Sequence, residues 1–243
     1  MKDDMKIYWN LYFNKFSNDK IMKQKHNPLR EYVAEIIDGP IIDIGCGQSA
    51  LLLEFSGSEK FIYAIDNEQE QLDYLSKRLL NQPKFTITNW SFLKLNFPDE
   101  AIPQNIYSLI ILSNILHFFS LQKCKEIIKD ITNYTTSGSL IYIEVHSDKF
   151  YANNPENPEN NLYYKHYFNV DDLNNIFIEI EFERIYLAEI EKKDSIEDKT
   201  FVSDWLDEVI RLCDVPVNEI NNLKKNYLKD KSQSDLIAIF KKK

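Results

Sequence analysis

Asp43, Gly45, Cys46 and Gly47 carry the densest chemical signal in the chain, inside the run Ile41-Ile-Asp-Ile-Gly-Cys-Gly-Gln-Ser-Ala50. A glycine turn lets the backbone approach a ligand closely, with its N–H groups aimed at it. The carboxylate ahead of the first glycine repels a diphosphate and suits an ammonium or sulfonium charge. Asp66 follows 19 residues after Gly47, near the spacing at which an acid accepts the hydroxyls of a ribose. These groups fit a cationic nucleoside. Further along, His117 as a neutral imidazole can take a proton from an amine, hydroxyl or thiol. Glu144 and His146 end an apolar run, where they can touch a substrate or cap a loop. Near the start, Tyr8, Trp9 and Tyr12 offer faces that stabilise a sulfonium methyl by cation–π attraction.

The elements that must hold these groups are legible from periodicity. Ile41 to Ile44 form an apolar run of buried-strand length, broken by the two glycines before Ala50, Leu51, Leu52, Leu53 and Phe55 open a helix. The chain has only 5 glycines, so two of them this close after one strand mark a purpose-built turn. A helix with Pro28 at its first position is predicted over 29–37. Phe61 to Ile65 predict a second strand ending in Asp66; Asp66 or Asn67 can also serve as cap for a helix over 68–80. Third and fourth strands are predicted at 84–88 and 105–112, a helix at 121–134, and a fifth strand at 139–145. Residues 149–165 read as a loop whose Tyr151, Tyr163 and Tyr164 can close over an acceptor. Asn169 is the expected N-cap of the helix that follows. Alternating strands at 180–190 and 235–240 enclose two amphipathic helices, 200–213 and 216–228.

The segment Asp43-Ile-Gly-Cys-Gly47 resembles motif I of the class I S-adenosylmethionine-dependent methyltransferases: acid, any residue, Gly, any residue, Gly. Ser49 stands at that family's third small position. The resemblance covers roughly residues 27–192 plus the last strand. It implies an α/β fold, a Rossmann-like doubly wound seven-stranded sheet, mostly parallel with a C-terminal antiparallel hairpin. It also implies S-adenosyl-L-methionine as cofactor, bound by Asp43, Gly45, Cys46 and Gly47, with Asp66 and Asn67 at the ribose. Ser91 and Phe92 fall at the adenine-contacting positions, with Ser91 where the family commonly has Asp. Ser113 opens the run beneath the methionine portion and facing the acceptor. Trp9, Tyr12, His117, Glu144 and His146 are the expected substrate residues, and His117 the candidate catalytic base. The N-terminal Trp9-x-x-Tyr12-Phe13 and the Leu-His-Phe segment at 116–118 loosely resemble the tellurite-resistance group of small-molecule methyltransferases.

Composition narrows the partners. Net charge is −9 with a pI near 5.1, and no basic stripe is present, which argues against nucleic acid. Cys46, Cys124 and Cys213 are widely spaced, so neither a disulfide framework nor a metal site is expected and a cytoplasmic location is. No apolar run is long enough to span a membrane. The expected organisation is an aromatic N-terminal helix or lid, 1–26, and a methyltransferase domain, 27–243, with a helical insertion at 194–233. That insertion either caps the acceptor pocket or forms a homodimer contact. The leading expectation is methylation of a small-molecule acceptor. The alternative is a non-catalytic module of the same fold that engages a protein partner through the inserted helices. A dinucleotide oxidoreductase, suggested by the G-x-G-x-x-A spacing of Gly45, Gly47 and Ala50, ranks third.

Overall fold

The computed structural model describes residues 3–16, 27–82, 84–153, 164–177, 180–228 and 232–243. These form two compact units, one of 24–190 with 234–243, the other of 1–23 with 191–233. The first is built on β1 (Ile41–Ile44), β2 (Ile62–Asp66), β3 (Trp90–Lys94), β4 (Leu109–Ser113), β5 (Leu140–His146), β6 (Phe182–Lys193) and β7 (Ser232–Lys242). The strands make one sheet in the order β3-β2-β1-β4-β5-β7-β6. The five from β3 to β5 are parallel, and β7 runs antiparallel between β5 and β6 as the terminal hairpin. This is the doubly wound α/β sheet that the motif pattern implied.

Alternation along each strand divides the core into two layers. Ile42, Ile44, Ile110, Leu112, Ile141, Ile143 and Phe240 face α5 (Leu121–Ile131) and α6 (Val170–Phe177). Ile41, Ile62, Ala64, Leu109, Ile111, Leu140 and Tyr142 face the other way, toward α2 (Leu29–Tyr32), α3 (Ala50–Glu54) and α4 (Gln69–Leu80). Each of the isoleucine, leucine and phenylalanine side chains contributes about 1.5–3 kcal/mol by leaving water. Asp43 lies in register with Ile111, and Ile111 with Tyr142, so an acid occupies a position on the second, otherwise apolar face.

Several boundaries differ from the sequence reading. The helix expected over 29–37 stops at Tyr32 and continues as a single 3-10 turn, Val33–Glu35. The third strand is Trp90–Lys94, not 84–88, because β2 pairs in the register Ile62 with Trp90 through Asp66 with Lys94. Ser91 and Phe92, expected at the adenine, are therefore inside β3, three and two residues short of its carboxyl end. Trp90 and Phe92 stack at 6.0 Å, with Phe85 against Trp90 at 5.6 Å, so Trp90 is a core residue. The fourth strand starts only at Leu109; Ser108 before it is buried and donates to the Gly39 and Pro40 carbonyls.

The second unit joins α1 (Asp3–Phe16) to α7 (Ile196–Leu212) and α8 (Val217–Tyr227). Tyr8 packs edge-on against Phe201 and Trp205, Tyr12 against Phe201, and Trp205 against Tyr227. Trp9 sits edge-on to both Tyr8 and Tyr12. A capping box between Ser195 and Asp198 starts α7.

The ring of Phe240 stacks on Phe177 at 3.8 Å and fastens β7 to α6. Phe240→Ala is expected to cost about 3–5 kcal/mol, read as a lowered urea midpoint by far-ultraviolet circular dichroism.

Candidate cofactor and acceptor site

The chain winds from β1 outward to β2 and β3, then returns to β4 on the other side of β1. This reversal opens a crevice at the carboxyl ends of β1 and β4, where open α/β sheets take their ligands. The glycine turn fills its floor. Gly45 has φ +71° and Gly47 φ +49°, conformations open to glycine at little steric cost. The turn is held from three sides. Cys46 N–H donates to the Ile65 carbonyl at 2.8 Å, Gly47 N–H to Asp66 Oδ2 at 2.8 Å, and the buried Arg78 guanidinium to the Gln48 carbonyl.

The two glycines do different work. A Cβ on Gly45 would stand 2.6 Å from Cδ1 of Ile115, so this glycine admits the chain's own loop after β4. A Cβ on Gly47 would meet nothing within 4 Å. Both are expected at the ligand; the missing Cβ of Gly45 faces Ile115 and that of Gly47 faces open space.

Asp43 is 1% exposed. Its Oδ2 accepts from the Ser49 hydroxyl at 2.9 Å, while Oδ1 has no hydrogen-bond partner. Burial pushes its carboxyl up to about 7; the Ser49 bond opposes that shift and the charge of Asp66 adds to it. Asp66 differs in that both its oxygens accept backbone N–H groups, Oδ2 from Gly47 and Oδ1 from Glu68 at 2.9 Å. Burial still raises it, against those bonds. The Cys46 thiol is driven well up by burial and by Asp43 and Asp66, so it is a neutral lining group and not a nucleophile. Asn67 lies exposed in the turn after Asp66. An orphaned carboxylate oxygen beside an open glycine suits a cationic ligand and fits S-adenosylmethionine.

The residues expected on the acceptor side lie at the ends of β4 and β5 and just beyond them. Ser113 Oγ donates to Glu144 Oε2 at 2.9 Å and Tyr142 OH to the same oxygen at 3.2 Å. Asn114, at φ +58°, returns its N–H to the Glu144 carbonyl. Beyond them His146 lies between two rings, His117 at 4.0 Å and Phe150 at 3.8 Å, with Tyr164 edge-on at 4.8 Å. His117 is 1% exposed, and its Nδ1 accepts the His146 backbone N–H at 3.3 Å. Burial, then the neighbouring His146, hold its pKa well below the usual imidazole value. That bond occupies the Nδ1 lone pair and places the proton of the neutral ring on Nε2. His117, expected as a catalytic base, is thus a buried side chain stacked on His146. His146 Nδ1 meets Asp235 Oδ1 at 2.8 Å. The sequence reading passed over Asp235; its signal is the cross-strand pairing of His146 with Asp235, visible only once β7 is known to lie beside β5.

The structure thus gathers Asp43, Gly45, Cys46, Gly47, Asp66 and Asn67 at one end of the crevice and Ser113, His117, Glu144 and His146 at the other. Trp9 and Tyr12 belong to the helical unit, where they pack as described above. Tyr163 lies outside the described residues. Among the described residues no helix is long and apolar enough to cross a membrane, and no group of three or more His, Cys, Asp or Glu is placed to hold a metal ion.

Residues 38–197 match a family model described as a methyltransferase domain. The chain belongs to that family. It is an enzyme of the class I S-adenosylmethionine-dependent type, and S-adenosylmethionine is its cofactor. No curated protein matches the sequence. Solved structures share the fold at low identity. TehB from Haemophilus influenzae is 16% identical with a TM-score of 0.62, covering 97% of this chain and 67% of its own. A Methanosarcina mazei S-adenosylmethionine-dependent methyltransferase is 15% identical with a TM-score of 0.59, covering 89% and 98%. A phosphoethanolamine N-methyltransferase from Haemonchus contortus, solved with phosphomonomethylethanolamine and S-adenosylhomocysteine, is 12% identical with a TM-score of 0.59, covering 99% and 58%.

Gly45→Ala combines left-handed strain with the Ile115 clash and is expected to cost about 2–4 kcal/mol. In an Ile115→Val background, which lacks the clashing methyl, thermal denaturation should show part of that loss restored.

Proposed function

We propose that this methyltransferase alkylates a small-molecule acceptor held at the ends of β4 and β5, with Asp43, Gly47 and Asp66 holding the cofactor. The cofactor supplies a methyl group on a positively charged sulfur, already activated for displacement. The protein's share is alignment and exclusion of water, which in favourable cases reaches about 7–11 kcal/mol. Asp43 offers Oδ1 to the cationic portion. Each Asp66 oxygen spends one lone pair on a backbone N–H and keeps another for the ribose hydroxyls. Leu95 N–H, bound to the Asp66 carbonyl at 2.9 Å, starts the loop that takes over the adenine side from Ser91 and Phe92.

The observation that carries the small-molecule reading is the packed aromatic wall beyond β5. Phe118, His146, Phe150, Tyr164 and Tyr167 lie ring against ring, a surface that sheds water and suits a compact acceptor better than a polymer backbone. The net charge of −9 disfavours a nucleic-acid acceptor. The Haemonchus contortus enzyme, solved with phosphomonomethylethanolamine, supports this reading by likeness of fold.

Isothermal titration with S-adenosylmethionine should give a Kd in the micromolar range, about −8 kcal/mol, and Asp66→Ala should abolish it. Incubation with methyl-labelled cofactor and a mixed panel of amines, thiols, hydroxyl compounds, protein and RNA should place the label in the small-molecule fraction. Label found only in the macromolecular fraction refutes the acceptor assignment.

A further inference from the structure

The site contains two acids, Asp43 buried and Asp66 partly buried, that differ in how their oxygens are bonded. Asp66 has a backbone N–H on each oxygen, whereas Asp43 has one oxygen answered by Ser49 and one unanswered. Ser49 occupies the third small position of the glycine motif, and its hydroxyl has two bonds. It accepts the Leu52 N–H at 3.2 Å as N-cap of α3 and donates its proton to Asp43 Oδ2. The Leu52 bond points the hydroxyl hydrogen away from α3, so the cap orients the donor.

We propose that Ser49 is the positioning residue of the cofactor site: it pins one oxygen of Asp43 and leaves the other as the acceptor presented to the cationic part of the cofactor. This rests on the placement of the cofactor at Asp43 under Proposed function. It carries a second consequence, that cofactor binding is linked to the Asp43 proton. The titratable groups facing Asp43 are Asp66 from β2, which disfavours its charge, and the neutral Cys46 thiol of its own turn. β4 offers none, its residues being Leu109, Ile110, Ile111, Leu112 and Ser113. The nearest side-chain donor that favours the carboxylate is Ser49, working against burial that holds the carboxyl up to about 7.

The sign follows. A cation binds the carboxylate form, so affinity falls as pH drops through about 7 and levels off above it. Removing the Ser49 hydroxyl raises the midpoint further and moves the whole binding curve to higher pH. Loss of the cap alone lowers stability without moving that midpoint.

The test is titration of the full chain with S-adenosylhomocysteine and with S-adenosylmethionine by calorimetry, between about pH 5.5 and about pH 8.5. The wild type should lose affinity on the acid side. Ser49→Ala should show the same curve displaced upward, with affinity near neutrality down about ten-fold, and Ser49→Thr, which retains the hydroxyl, should restore it. Asp43→Asn keeps an acceptor for Ser49 but carries no charge, and should bind weakly and independently of pH. It serves equally if Ser49→Ala fails to fold. Wild-type-like midpoints in Ser49→Ala, or wild-type pH dependence in Asp43→Asn, overturn the proposal. Failure of the wild type to bind either nucleoside at any pH is a different result and refutes the placement of the cofactor instead. A larger effect on S-adenosylmethionine than on S-adenosylhomocysteine assigns the contact to the sulfonium, and an equal effect to the ammonium that both carry; either supports the role of Ser49.

Discussion

A carboxylate taken out of water must be answered by something, and Asp43 is answered only by half. It sits among isoleucines on a sheet face that is otherwise apolar, where desolvation is the largest influence on its charge. Two features of the crevice make sense around that imbalance. The strand order reverses beside β1, which clears space at its carboxyl end. Gly47 leaves the adjoining side bare. Among the described residues Asp43 Oδ1 is the one buried carboxylate oxygen without a hydrogen-bond partner.

The glycine turn shows how a short motif distributes its duties. Gly45 is needed by the protein itself, since Ile115 of the loop after β4 presses onto it, and that contact ties the glycine turn to β4. Asp66 ties the same turn to β2 through Gly47, and Arg78 does so from α4 through Gln48. The turn is thus fixed by three neighbouring segments before any ligand arrives, so the ordering cost is met in folding and not in binding.

Much of this was readable in advance, and the failures have identifiable causes. β1, β2 and β5 announced themselves as short apolar runs with turn residues at their ends, and the helices 69–80 and 121–131 by their 3.6-residue period. β3 was misplaced because Phe85, Thr86 and Ile87 look as strand-like as Trp90 to Leu93; only pairing with β2 decides between them. His117 was preferred over His146 for the same kind of reason. The His117 ring meets the backbone N–H of His146, and the His146 ring meets Asp235; both relations join segments far apart in the chain. Amphipathic spacing likewise revealed α1, α7 and α8 as helices but not that Tyr8 and Tyr12 pack against Phe201.

The position of β7 has a consequence for biogenesis. It is the last strand in chain order yet lies inside the sheet, hydrogen-bonded to β5 on one side and neighbouring β6 on the other. Until it emerges from the ribosome, both of those edges stand open to unwanted pairing. His146 also lacks its carboxylate until then, because Asp235 arrives with this strand. The nascent polypeptide therefore completes the turn after β1 early, and the pairing of His146 with Asp235 only once β7 has been made.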